Sequence, residues 1–375
     1  MLNGKINGKQ ASHMLVLYLL GSSLVTGGSM TAKQDSWICI LFGTVITIPL
    51  VLVFAELNKT APGKDFFEMS YEAFGKFGGG AITVLFIAYT IHLGGLVIRN
   101  FSEYFQVVTI PETPLCVTAI CIGALALYSN LKGIDVLGRG SVFIMPFALG
   151  VIVLLNLFLF KYMDFRNLKP ILYQSPKTII DGAISVFTFP MAESVLFISV
   201  FSFVDGKKRF AKLYLTPLMI SSFLLTAIVA GSIATIGLPL VSMIYFPSYT
   251  AAGIIDVGNF ISRIEVLVSG NYIIFGVIKV SICLFVACRG LKKLFHTKSH
   301  AIFALPVIAA MIVISLLVYE NTMQMFAFLS IYELYAPLFE AVIPLALLIV
   351  LKAKAKRQNN KMPEEPQNPQ EAVPE

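Results

Sequence analysis

The sequence predicts an all-helical integral membrane protein of about ten transmembrane helices, and three observations carry that prediction. The chain of 375 residues is 57% hydrophobic and only 13% charged, whereas soluble domains hold roughly 45 to 50% apolar and about 25% charged residues. Its mean hydropathy is +0.81. The apolar residues are gathered into runs, and a spanning helix needs about 20 mainly apolar residues. The runs are Ala11–Met30, Ser36–Leu57, Gly80–Phe105, Thr113–Asn130, Ser141–Phe160, Gly182–Val204, Leu213–Leu238, Val266–Leu291, Ala301–Tyr319 and Leu334–Leu351. Ten crossings put both termini on one side. The chain is thus expected to comprise an N-terminal segment 1–10, a membrane domain 11–353 and a tail 354–375.

Charge orients this arrangement. Of the 28 Lys and Arg residues, twenty fall in the termini, the connections on the terminal side and, with Arg289, the adjoining end of the eighth span; six fall on the other side, and two (Arg99 and Lys279) lie deep inside spans. Cytoplasmic loops retain positive charge during insertion, so both termini are expected in the cytoplasm. The net charge of +7 then records topology, and no nucleic-acid partner is expected. The five cysteines, Cys39, Cys116, Cys121, Cys283 and Cys288, sit in apolar runs without metal-ligand spacing and read as packing residues. No metal or cofactor is expected. The first residues, MLNGKINGKQASH, lack the pattern of a cleaved leader, so the first helix is expected to be retained.

Two connections and the C-terminal tail carry their own expectations. Asp65 to Phe77 mixes aromatic and charged residues and suits a helix lying in the interface. Met243 to Glu265, with Pro247 and two glycines, is placed to cap the outer end. The tail QNNKMPEEPQNPQEAVPE cannot bury enough apolar surface to offset its ordering entropy and is expected to be disordered.

Breaks in a membrane helix survive only where they are buried in protein or line a cavity. The first span carries Gly21-Ser22-Ser23 and then Gly27-Gly28-Ser29, and the sixth carries Thr188-Phe189-Pro190-Met191-Ala192-Glu193. These two spans open corresponding five-helix halves, the pattern of a 5+5 inverted repeat with discontinuous helices at its binding site. Unwound backbone at Gly21, Ser22, Ser23 and Leu24, and at Thr188, Phe189, Pro190, Ala192 and Glu193, would expose N–H and C=O groups able to hold the two ends of a zwitterion.

Charged groups at membrane depth usually face the bundle interior and mark function. His92, Arg99 and Glu103 are spaced by seven and four, which places them on one stripe of the third span. Arg99 and Glu103 could pair, or snorkel to headgroups. Glu193 follows Pro190, where unpaired N–H groups of a new helix favour a negative charge. Glu340 lies between Pro337 and Pro344 and reads as a kink stabiliser or a functional carboxylate. Lys279 lies about 13 residues, or roughly 20 Å, from the outer end of its span, too deep to reach water. Ion or proton coupling is therefore assigned to His92, Arg99, Glu103 and Lys279, with Ser281 two residues beyond.

With these residues in view, the chain resembles the spore germinant-receptor B subunits, a branch of the amino acid, polyamine and organocation transporter superfamily. The resemblance runs from about Lys5 to Lys352. It rests on Gln34-Asp35-Ser36-Trp37-Ile38, Arg99-Asn100-Phe101-Ser102-Glu103, Phe189-Pro190-Met191-Ala192-Glu193, Arg263-Ile264-Glu265 and Lys279-Val280-Ser281. It implies a LeuT-like fold whose broken first and sixth helices hold a small nutrient, commonly an amino acid. It also implies a receptor assembled with A and C subunits in the spore inner membrane. Sodium-coupled transporters of similar fold hold a cation between their first and eighth helices, so Lys279 could stand in for sodium there. The alternative is an internal ion pair with Glu193 or Glu340. Two departures are noted: the first break continues Leu24-Val25-Thr26-Gly27 where a proline often follows, and Ala192 stands where glycine is usual. The functions in play are a nutrient sensor that triggers germination and an amino-acid permease. An enzyme is not expected, since no nucleophile, base and oxyanion constellation is visible.

Overall fold

A computed structural model describes residues 4–26, 30–205, 209–256 and 263–359. In chain order its α-helices are α1 (Gly8–Thr26), α2 (Ser36–Thr60), α3 (Phe66–Tyr104), α4 (Leu115–Lys132), α5 (Ile134–Leu159), α6 (Pro176–Val186), α7 (Phe197–Phe201), α8 (Phe210–Ile236), α9 (Leu238–Val241), α10 (Pro247–Ala252), α11 (Glu265–Leu294), α12 (Ala304–Leu317), α13 (Thr322–Pro337) and α14 (Ile343–Asn359). Among the described residues, eight helical segments are long and apolar enough to cross a membrane. The 19-residue α1 and the shorter apolar stretch Ala301–Leu317 complete the ten expected positions. The protein is an all-helical integral membrane protein.

The most extensive helix packing joins α3 to α11, and next α2 to α8. These are the third and eighth spans and the second and seventh. Each is packed on its counterpart in the other half, as expected around the pseudo-two-fold axis of an inverted repeat.

The sixth span is interrupted as expected. Ser175 caps α6 by accepting from the Thr178 N–H at 3.2 Å, with Pro176 in the first turn. After Val186 the chain makes a wide turn over Phe187–Met191, where Phe189 leaves helical geometry (φ −133°, ψ 108°), and resumes through a tight 3-10 turn, Ala192–Leu196, into α7. Pro190 lacks the N–H that would continue the ladder.

The first span differs from expectation. α1 is helical from Gly8 through Thr26, so Gly21-Ser22-Ser23 does not unwind, and the Ser23 hydroxyl donates back to the carbonyls of Leu19 (2.9 Å) and Leu20 (3.1 Å). Hydroxyl back-bonding of this kind satisfies serine inside a helix without breaking it. The second candidate break, Gly27-Gly28-Ser29, lies outside the described residues, as do the side chains of Ser22 and Leu24 and the tail from residue 360. The tenth span is also longer than read: α13 and α14 form one helical segment, Thr322–Arg357, bent through Leu338–Val342.

Both ends of the described chain meet the same end of the bundle. Ile6 exchanges main-chain bonds with the end of α7, donating to Phe203 O at 3.0 Å and accepting from Asp205 N at 2.9 Å. Lys354 near the other terminus donates to Glu72 O at 2.8 Å. Between them the segment expected to lie in the interface is helical, as the first part of α3, and is set off by Gly75 at φ 73°, a left-handed geometry that glycine adopts without steric cost. Asp65 starts it with a capping box: its carboxylate accepts from Glu68 N (2.9 Å) and Glu68 Oε2 accepts from Asp65 N (3.0 Å). Arg289, at the end of α11, donates to Asp65 Oδ2 from Nη2 (2.6 Å) and Nε (3.1 Å). Nearby His300 is uncharged at neutral pH, because burial and the charges of Arg289 and Lys292 push it down to about 4.

Asp65→Ala removes cap and ion pair together, and the cap alone is worth about 0.5 to 2 kcal/mol. Asp65→Asn keeps the capping oxygen and loses the charge. Thermal melting is expected to order the proteins as parent, then Asn, then Ala. Equal melting of Ala and Asn variants would show that the cap contributes nothing.

At the opposite end, buried Asp35 accepts from Leu172 N (2.8 Å) and Gln174 N (3.0 Å), holding the approach to α6 against the start of α2. Within the segment expected to cap the outer end, α10 packs on α8 and α11, and Ser248 shares a 2.7 Å hydrogen bond with Tyr272 of α11.

Candidate functional site

Where the sixth span breaks, four elements bring their polar groups to one point. Glu193 follows the break and is fully buried, as is Lys279 near the middle of α11. The Lys279 ammonium donates to Glu193 Oε2. Two rings flank it: its Nζ lies 5.0 Å from the Tyr18 ring centre on α1 and 4.9 Å from that of Phe189 in the break. Cation–π contacts of this kind are strongest where water is excluded. The lysine stem runs along α1, where a Cβ on Gly21 would lie 3.1 Å from Lys279 Cδ. Gly21 therefore serves the site by permitting close approach rather than by unwinding.

A second carboxyl joins from the bend of the last span. Glu340 is fully buried and accepts from the Tyr89 hydroxyl at 2.8 Å. Tyr332 of α13 stands 3.1 Å from Oε1 of Glu193 and 3.1 Å from Oε1 of Glu340, and 3.0 Å from the Tyr89 hydroxyl. Its single O–H proton can serve only one carboxyl at a time. Glu340 Oε2 is buried without a hydrogen-bond partner among the described residues. One ammonium, two carboxyl groups and two tyrosines thus form a closed polar cluster in an apolar bundle, where each unpaired group would be costly.

The structure gathers Gly21, Phe189, Glu193 and Lys279, with Pro190 and Ala192 beside them, and gives Thr188, Ser281, His92, Arg99 and Glu103 other partners. Thr188 donates to the carbonyls of Ile184 and Ser185, both at 3.1 Å, and holds the end of α6. Pro190 and Ala192 are buried at the break beside Glu193. Ser281 donates to Val277 O and lines a small cavity with Asn130 and Gly133, away from Lys279. Two residues along a helix is a rotation of about 200°, so Ser281 cannot share a cation with Lys279.

Arg99 and Glu103 form their own station. They pair at 3.1 Å, both buried, which excludes snorkelling. Arg99 Nη1 donates to Ser315 O (3.2 Å), and Thr322 donates to Glu103 Oε1 (2.6 Å). The pair therefore ties α3 to the turn between α12 and α13. His92 lies between the two stations, its Nδ1 3.2 Å from the Tyr335 hydroxyl, and the Tyr335 ring packs edge-on against Tyr332.

Sequence reasoning missed Tyr18, Tyr89 and Tyr332. For Tyr89 and Tyr332 the signal was a phenol inside an apolar run, since a buried tyrosine hydroxyl needs a partner, whereas Tyr18 serves the site through its ring. Tyr332 also precedes Glu340 by eight residues, about two helical turns.

Solved structures with the same fold include Mhp1, a nucleobase-cation-symport-1 family transporter in a closed conformation with bromovinylhydantoin bound (TM-score 0.67, 12% identity, 96% of this chain and 94% of that one). A sodium-coupled sialic acid symporter in a substrate-bound outward-open state is similar (TM-score 0.64, 13% identity, 92% and 79%). These likenesses establish the LeuT-like fold. Among sequences, spore germination protein KB of Bacillus subtilis is 28% identical over 97% of this chain and 99% of its own length. Spore germination protein A2 of the same organism is 27% identical over 78% and 81%. The profile of the spore germination protein family matches residues 5–324. That match covers most of the chain, and the protein belongs to the spore germination protein family.

Proposed function

We propose that this protein is the nutrient-binding membrane subunit of a spore germinant receptor, that its ligand is a zwitterionic amino acid, and that the ligand engages Lys279 and Glu193. One observation carries the ligand class. The site holds one buried ammonium paired with one buried carboxylate, and a zwitterion carries the same two groups. An amino acid can exchange partners with this pair, its carboxylate meeting Lys279 and its ammonium meeting Glu193, without leaving either buried charge unpaired. Entry separates the sixth-span break from α11, and the change passes to partner A and C subunits. In this reading both termini lie in the cytoplasm, which the twenty terminal-side cations support, and the membrane is the spore inner membrane.

The test is Glu193→Gln, which keeps shape and removes charge. With the protein present at parental level in spores carrying the A and C subunits, the nutrient dose-response is expected to shift by at least tenfold, since a charged hydrogen bond is worth about 1.5 to 3 kcal/mol. A parental dose-response across pH would remove Glu193 from the ligand's path. The break of the sixth span at the bundle centre also suits an amino-acid permease. Vesicles holding the purified protein alone separate the two: accumulation of labelled amino acid supports the permease, and saturable binding without accumulation supports the receptor.

A further inference from the structure

A cleft at the terminal end of the bundle belongs to neither polar station. It opens between the start of α1 and the start of α8, with a volume of about 470 Å³. Lys9 and Ser12, one turn apart, form one wall, and Arg209, Lys212 and Thr216 form the other, with Asp205 on the rim. Lys9, Arg209 and Lys212 are all exposed, and none has an acidic partner among the described residues. Asp205 is engaged by Lys5 at 3.3 Å. Three cations thus converge on one concave space, which concentrates positive potential there. Two hydroxyls, Ser12 and Thr216, add hydrogen-bond capacity at its walls.

The cleft also continues into hydrocarbon. Lys212, Thr216, Met219 and Phe223 are spaced by four, three and four, so they lie along one face of α8. Met219 and Phe223 are 52% and 72% exposed. A charged head position therefore leads onto an apolar track, the layout of a phospholipid lying against a helix. Basic pockets between helices at the cytoplasmic side of a membrane are suited to anionic headgroups.

We propose that this cleft binds a phosphate-ester anion, with an anionic phospholipid as its source, the phosphate among Lys9, Arg209 and Lys212 and an acyl chain along Met219 and Phe223. The bound lipid joins the first helix of one half to the second helix of the other. It acts independently of the nutrient site.

The experiment compares purified protein in neutral phosphatidylcholine discs with discs containing phosphatidylglycerol, reading retained lipid by native mass spectrometry and melting temperature. The parent is expected to retain phosphatidylglycerol and to melt higher in its presence. The triple variant Lys9→Gln, Arg209→Gln, Lys212→Gln is expected to bind about fivefold more weakly for each cation removed. A matched control, Lys352→Gln, Lys354→Gln, Lys356→Gln, is expected to bind like the parent. Inorganic phosphate as a competitor distinguishes the sources: displacement of the lipid shows that the phosphate alone is recognised, and failure to displace it shows that the acyl track contributes. Equal loss in both triple variants, or loss in neither, would mean only general attraction to a charged surface and would overturn the proposal. Thr216→Phe, which fills the cleft and keeps every charge, decides the matter if the triple variant does not fold: unaltered lipid retention there is equally fatal.

Discussion

Lys279→Met is expected to lower stability by about 3 to 5 kcal/mol, because it leaves the fully buried Glu193 carboxylate without its cation and with Tyr332 as its remaining donor. Methionine matches the lysine stem closely in length, so the packing against Gly21 survives and the loss is electrostatic. The discriminating measurement is the double variant Lys279→Met, Glu193→Gln. Replacing both partners removes the uncompensated charge, and the double variant is expected to melt close to the parent while still failing to respond to nutrient. If it melts as low as Lys279→Met alone, lost packing rather than lost charge accounts for the damage. If it responds normally, the pair is structural and the ligand binds elsewhere.

Arg99→Met is expected to have a similar magnitude, about 3 to 5 kcal/mol, with a different location. It strands Glu103 with Thr322 as its remaining donor and frees the Ser315 carbonyl. The turn between α12 and α13 should then open before the bundle melts, and limited proteolysis is expected to cut near residues 318–321 in the variant at a temperature where the parent is intact. Arg99→Lys keeps the charge but has a single nitrogen to serve both Glu103 and Ser315, and is expected to fall between the two. Proteolysis that starts elsewhere in the Met variant would remove the clamp from the account of this turn.

These two stations show what the sequence could and could not reveal. The spans were legible because hydrocarbon demands long apolar runs, and each of the ten expected positions carries a helix. The sixth-span break was legible because Pro190 cannot continue a helix ladder. Gly21-Ser22-Ser23 misled for a physical reason: in a membrane helix a glycine either weakens the ladder or admits a neighbour, and Lys279 lies against Gly21. Local sequence does not distinguish those roles. The start of the tenth span was misplaced because Gln324 and Glu333 dilute the apolar signal of α13. Arg99 and Glu103 could be paired by their spacing of four, whereas Lys279 and Glu193 are 86 residues apart and meet only through the fold. The distance of Ser281 from Lys279 was legible all along in the helical rotation between them, and adjacency in sequence hid it.

The main-chain bonds between Ile6 and the end of α7 have a consequence for inheritance. They join the start of the first span to the end of the sixth through N–H and C=O groups that every residue but proline supplies. Side chains at Ile6, Phe203 and Asp205 can drift through evolution without loosening this joint. Two distantly related chains could therefore retain the same mechanical linkage between their first and sixth spans with no shared residue to advertise it. A search for signalling positions by substitution would pass over it, and only a proline at residue 6 or 205 would expose it.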